Sequence, residues 1–114
     1  MVLCSIEEVR KNMYSTGYPK ENFIFIEGRV EETIPKIIPA QIALLKLDTD
    51  WYESTYHELV YLYPLLSNQG VILIDDYGIW QGQRKAVDKY INENNLRILL
   101  NRTDCYGSIA IKTN

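Results

Sequence analysis

Four aspartates are where this chain could do chemistry. Asp48 and Asp50 close one short apolar run, and Asp75 and Asp76 close another. Open α/β sheets place their ligands just beyond the carboxyl ends of their strands. If the two runs are neighbouring strands, three or four carboxylates meet in one crevice, where like charges repel unless a proton or a cation lies between them. The chain offers a single histidine, His57, and no cysteine cluster. An all-oxygen donor set selects a hard cation, Mg²⁺ first and then Ca²⁺ or Mn²⁺. Asp is also an ordinary residue in the turn after a strand, so a lone one carries no chemical meaning. The repetition on two strands is what singles these out.

Other candidates surround them. Trp51, Tyr52, Tyr77 and Trp80 flank the acidic strand ends and fit either the walls of a pocket or caps on the sheet. His57 reads as a surface residue in the first turn of a helix. Tyr63 and Tyr90 fall on inward helix faces and read as packing. Gln81-Gly82-Gln83 reads as a flexible turn. All six glycines are isolated, so the chain holds no glycine-rich phosphate or dinucleotide loop.

The elements that must position these residues follow from pattern. Ser5-Ile6-Glu7-Glu8 is a capping box, which predicts a helix from about Ile6 to Tyr14, stopped near Gly17 and Pro19. Phe23–Ile26 is a short apolar run that predicts a buried strand ending at Glu27-Gly28. Glu31–Ile38 is a weak, proline-punctured helix or turn. Ile42–Leu47 predicts a second buried strand. Thr55-Tyr56-His57-Glu58 has the form of another capping box, and its helix carries Leu59, Leu62, Tyr63 and Leu66 on one face until Pro64 shortens it. Ser67–Gly70 stops that helix, and Val71–Ile74 predicts a third buried strand. Gln83–Asn94 is helical with Ala86, Val87, Tyr90 and Ile91 inward. Strands around Arg97–Leu100 and Ser108–Lys112 finish the chain across a turn at Tyr106-Gly107. Apolar strands alternating with helices belong to a parallel sheet covered on both faces, here with an antiparallel final pair. The fold class is α/β.

Composition bounds the rest. At 114 residues, with 46% hydrophobic and 24% charged, the chain is one ordinary folded unit, residues 1–114, without repeat or linker. Twelve basic against 15 acidic side chains give a net charge of −3, and no basic run exists, which argues against nucleic acid or an anionic membrane as partner. No apolar stretch is long enough to span a bilayer, and the first five residues are too short and uncharged for a signal peptide. The expected location is cytoplasmic. Cys4 and Cys105 have no metal spacing and read as reduced, small apolar residues.

The stretch Leu47-Asp48-Thr49-Asp50-Trp51-Tyr52-Glu53-Ser54-Thr55 is specific. With Leu62-Tyr63-Pro64, Gly70–Gly78, Lys85-Ala86-Val87-Asp88, Gly17-Tyr18-Pro19 and Gly28–Pro35, it resembles the macrocin O-methyltransferase (TylF-type) family over nearly the whole chain. The resemblance implies the C-terminal half of a Rossmann-like class I methyltransferase sheet, parallel with an antiparallel last strand. It implies S-adenosylmethionine and Mg²⁺ as cofactors and a sugar hydroxyl on a small or glycosylated molecule as acceptor. It implies Asp48, Asp75 and Asp76 as metal ligands, with Asp48 also the general base. Asp50 has no direct match and takes a supporting role. Gly28 lies where such folds pass the cofactor's adenine, and also reads as an ordinary turn glycine. A cation that chelates neighbouring substrate oxygens lowers a hydroxyl pKa and aligns it with the sulfonium methyl, and a carboxylate then takes the proton.

Two departures accompany the likeness. Ile79 stands where the family often has His. The family's first strands, with the glycine-rich turn for the methionine end of the cofactor and the acidic residue for its ribose, have no counterpart in these residues. The expected partner is therefore an N-terminal half, or a second copy of the chain as a homo-oligomer. A non-catalytic remnant is the alternative. A more distant one is a haloacid-dehalogenase-type phosphatase, suggested by Asp48-Thr49-Asp50 but opposed by Tyr52, where that motif wants Thr or Val, and by the short interval from Asp48 to Asp75.

Overall fold

Two parallel strands are the centre of the structure, a computed structural model that describes residues 5–49, 51–75, 81–102 and 107–113. Strand β1 (Ile42–Leu47) pairs with β2 (Leu66–Ile74), with Leu45 opposite Ile72 and Leu47 opposite Ile74. Strand β4 (Ser108–Ile111) runs antiparallel on the far side of β2, and the two-residue β3 (Asn101–Arg102) pairs outside β4. The sheet order is β1-β2-β4-β3. The chain is thus the expected α/β sheet, parallel with an antiparallel end.

Among the described residues four α-helices accompany it: α1 (Ile6–Tyr14), α2 (Val30–Thr33), α3 (Tyr52–Leu62) and α4 (Gln81–Glu93). The α1 cap is the predicted one, since the Ser5 hydroxyl accepts from the Glu8 amide at 3.2 Å. Helices α3 and α4 lie against each other and against one sheet face. Leu45, Leu47, Ile72, Ile74 and Ala110 meet Leu59, Val87 and Tyr90 there, all of them buried. Pro64 ends α3 in a single 3₁₀ turn, Tyr63–Leu65, because its ring carries no N–H for the helical ladder.

Four expectations are corrected. Phe23–Ile26 is not a strand. No described strand lies beside it to share hydrogen bonds, and Ile24 is 83% exposed. It is held instead by rings, with Tyr14 of α1 edge-on to Phe23 and Phe25 at 5.9 and 5.8 Å. Burial on both sheet faces also fails among the described residues. Leu44 and Ile111, on the face away from α3 and α4, are 58% and 54% exposed. The last strand pair begins later than predicted. Residues 96–100 keep a strand-like alternation, with Leu96, Ile98 and Leu100 packed against the core, but pairing starts only at Asn101. The third strand is longer than its apolar run, because Leu66–Gly70 joins it.

That extension contains an irregularity. Ile42 faces Leu66 while Leu44 faces Val71, so β2 spends three more residues than β1 over the same span. Gln69 takes up the excess with φ +68°. Gly70 is required by close approach, since a Cβ there would meet the Ser67 carbonyl at 2.7 Å and the Leu66 side chain at 2.8 Å. Lys112 pins the segment by donating from Nζ to the carbonyls of Tyr63 and Leu66, at 3.2 and 2.8 Å. Cys4, Cys105 and Tyr106 lie outside the described residues.

Among the described residues, Tyr63 holds the single buried side-chain polar atom without a hydrogen-bond partner, its hydroxyl. Burying such a group costs more than replacing it with an apolar one. Tyr63→Phe is therefore expected to melt at or above the wild-type temperature, by up to about 1 kcal/mol. Leu59→Ala, at a position 2% exposed, should by contrast lose roughly 2–5 kcal/mol by transfer and cavity formation. Paired thermal melts check both signs.

Candidate active site at the ends of β1 and β2

The parallel register continues one step past the strands. The Asp75 amide donates to the Leu47 carbonyl at 3.0 Å, which sets Asp75 beside the residue that follows Leu47. Asp48 and Asp75 therefore leave the sheet at adjoining positions, and both are exposed. The two acidic strand ends are therefore on neighbouring strands, with Asp48 and Asp75 at adjacent register positions. Asp50 and Asp76 lie outside the described residues, as do Tyr77, Ile79 and Trp80.

Beneath Asp48, the loop from β1 into α3 is tied down by buried polar groups from two helices. Thr49 Oγ1 donates to Glu58 Oε1 in a very short hydrogen bond and lies 3.2 Å from Thr55 Oγ1. Thr55 Oγ1 also reaches the Thr49 carbonyl at 3.3 Å. From α4, Gln83 Nε2 donates to the Thr49 carbonyl at 2.9 Å and to the Leu47 carbonyl at 3.5 Å. Thr55 and Gln83 are fully buried, and Glu58 is 7% exposed. Burial pushes the Glu58 carboxyl above its usual range, against the opposing hydrogen bond from Thr49, and the negative charges of Glu31 and Asp48 push it further.

This arrangement corrects two expectations. Helix α3 starts at Tyr52 rather than beyond Thr55, with Trp51 at its N-cap and no side-chain cap bond. Thr55 and Glu58, three residues apart on one helix face, turn toward the Thr49 loop instead of capping each other. Gln83 is a helical anchor rather than part of a flexible turn. A signal for all three was present. Thr55 and Glu58 stand in helical register with Leu59 and Leu62, and Gln83 leads the inward stripe Ala86, Val87, Tyr90 at spacings of 3, 4 and 7.

The surrounding candidates divide. Tyr52 stacks on Tyr56 at 6.0 Å, Lys89 of α4 sits over both rings, and the Tyr56 hydroxyl donates to Glu93 at 2.5 Å. Tyr52 thus belongs to the α3–α4 contact. Trp51 is 73% exposed and borders a hollow with Arg29, Glu31, Glu53 and Ser54. His57 is half-buried, and its Nε2 meets the Ile34 carbonyl at 2.7 Å, tying α3 to the segment after α2. Gly28 has φ +135°, and a Cβ there would come within 2.9 Å of the Thr33 methyl, which accounts for glycine by local geometry. It borders a groove of about 780 Å³ along β1, with Ile26, Thr33, Leu44 and Lys46.

Comparison with known proteins places this arrangement. A sequence model of the macrocin-O-methyltransferase (TylF) family matches residues 1–111. The chain belongs to that family. Among curated relatives it is 37% identical over 86 residues to demethyldecarbamoylnovobiocin O-methyltransferase of Streptomyces niveus, covering 75% of this chain and 33% of that protein. It is 38% identical over 85 residues to the 8-demethyl-8-(2,3-dimethoxy-alpha-L-rhamnosyl)-tetracenomycin-C 4'-O-methyltransferase of Streptomyces olivaceus, covering 75% and 32%. Among solved structures, the O-methyltransferase NovP superposes with a TM-score of 0.92 at 33% identity, over 96% of this chain and 46% of that one. The TylF-family chain thus spans about a third of the length of the curated relatives it matches. No described helix is long and apolar enough to cross a membrane.

The raised Glu58 carboxyl has a consequence for pH. The folded protein holds that proton more tightly than the unfolded chain, so the stabilisation is full at low pH and is lost as pH rises through the folded-state value. Glu58→Gln keeps an acceptor for Thr49 and cannot ionise. It is expected to gain on wild type from about pH 4, the ordinary Glu range, upward to neutrality. Urea midpoints measured across that range check this, and a constant difference between the two proteins would refute it.

Proposed function

We propose that this chain is the metal- and acceptor-side half of an S-adenosylmethionine-dependent O-methyltransferase whose acceptor is a sugar hydroxyl on a small glycosylated molecule. The observation that carries the reading is the Asp75-to-Leu47 hydrogen bond, because it delivers Asp48 and Asp75 side by side beyond the sheet. Two exposed carboxylates at adjoining positions are a hard-oxygen donor pair, and the chemistry of that pair fits Mg²⁺. Asp48, Asp75 and Asp76 would hold the ion, which when bound makes an acceptor hydroxyl more acidic. Asp48 takes the proton from that hydroxyl through a carboxylate oxygen. Gly28 borders the groove along β1, and on this reading the cofactor's adenine lies beside it. The methyl group comes from the sulfonium of S-adenosylmethionine.

Support for the acceptor class comes from relatives whose names carry sugar or antibiotic O-methylation, mycinamicin III 3''-O-methyltransferase of Micromonospora griseorubida among them, at 34% identity. The Asp48-Thr49-Asp50 likeness to phosphatases gains no such support. With no glycine-rich loop in its 114 residues, this chain is proposed to act with a cofactor-binding N-terminal half or with a second copy of itself. A cytoplasmic setting belongs to the same reading.

Calorimetric titration tests it. Mg²⁺ should bind the wild-type chain and bind at least about ten-fold more weakly to Asp48→Ala and to Asp75→Ala, with unchanged circular dichroism. Unchanged affinity in both variants removes the metal site. S-adenosylmethionine, titrated with and without Mg²⁺, should bind when a cofactor pocket is complete. A folded chain that takes up neither ligand is the non-catalytic remnant.

A further inference from the structure

We propose that Glu58 and Gln83 are positioning residues that fix the backbone of Leu47–Thr49 from two sides and thereby aim Asp48. The argument is geometric. Past the Leu47 carbonyl the chain leaves the sheet, and the exposed Asp48 lies between two residues that are tied down. Leu47 and Thr49, on either side of it, are both held. Gln83 reaches both of their carbonyls from α4, and Glu58 takes the Thr49 hydroxyl from α3 while Thr55 reaches the Thr49 carbonyl. Three polar side chains no more than 7% exposed, all directed at one three-residue segment, make a clamp. Burying such groups in a core has a cost that apolar residues would avoid, and the segment they hold carries the carboxylate.

The register makes the clamp bear on both carboxylates. The Leu47 carbonyl that Gln83 approaches also accepts from the Asp75 amide. One oxygen thus joins α4, β1 and the start of the loop after β2. Supporting hydrogen bonds of this kind commonly change metal affinity by 10–100-fold when removed. The consequence for metal binding rests on the reading of Asp48 as a ligand, whereas the clamp itself does not.

Backbone ¹⁵N relaxation on the 114-residue chain, together with Mn²⁺ titration, separates the two. Order parameters at Asp48 and Thr49 should be near about 0.85 in wild type and fall toward about 0.6 in Gln83→Met and in Glu58→Met. Those at Ile72 and Ala86 should not move. Glu58→Gln, whose amide oxygen still accepts from Thr49, should keep the wild-type values. Thr49→Val removes the same hydrogen bond from the other side and should match Glu58→Met. Mn²⁺ should bind Gln83→Met 10–100-fold more weakly than wild type and bind Glu58→Gln within about two-fold of it. Unmoved order parameters in the Met variants overturn the proposal. So does a loss spread equally through β2 and α4, which would make these ordinary core residues. Wild type that binds no Mn²⁺ but shows the local loss would strike the metal reading and leave the clamp supported.

Discussion

Parallel strands deliver their carboxyl ends to the same edge of a sheet, and the β1–β2 pair is the constraint on which the rest of this molecule depends. Leu45 and Leu47 must face Ile72 and Ile74 because a one-residue slip would turn each side chain to the opposite face. Core packing against α3 and α4 therefore sets the register. The register in turn sets which residues stand next to each other when the strands end. Asp48 and Asp75 are neighbours because Leu47 and Ile74 are buried opposite each other, so the placement of two charged groups is decided by apolar ones.

Much of this could be read from residue types, and the exceptions have physical causes. The Ser5 cap, the apolar run of β1, the shortening at Pro64 and the inward stripe of α4 are local signals, and each is present. Phe23–Ile26 failed because apolar character marks a segment that wants cover, while a strand needs a neighbour to share its hydrogen bonds. Burial on both faces failed for a related reason: an apolar strand states a demand for cover that the described residues meet on one side. Thr55 and Glu58 were misread because a capping box and an inward-facing polar pair have the same spacing. Which one forms depends on whether a loop stands opposite, and here Thr49 does.

The acidic residues show how environment assigns different parts to one chemical group. Asp48 and Asp75 are exposed at adjoining positions of the sheet edge. Glu58, in the second turn of α3 and buried, has its carboxyl pushed above the usual range by that burial. The same carboxyl chemistry thus supplies exposed acceptors at the sheet edge and a buried hydrogen-bond partner beneath them. The first is suited to holding a cation or taking a proton, and the second to holding a loop.

The division between the two sheet faces bears on what this chain can do by itself. The hydrogen bonds that hold Leu47 and Thr49 come from α3, from α4 and from the Asp75 amide. None of these bonds comes from the open face of the sheet or from the outer edge of β1. The groove beside Gly28 is different, because it is walled by the open flank of β1 and by a segment with no buried residues, Phe23–Ile37. Leu44 and Ile26, which line it, are 58% and 42% exposed. The Asp48 and Asp75 end of the sheet is thus fixed by strand register and buried contacts, whereas the groove along β1 is bounded by exposed and half-buried residues on its outer side.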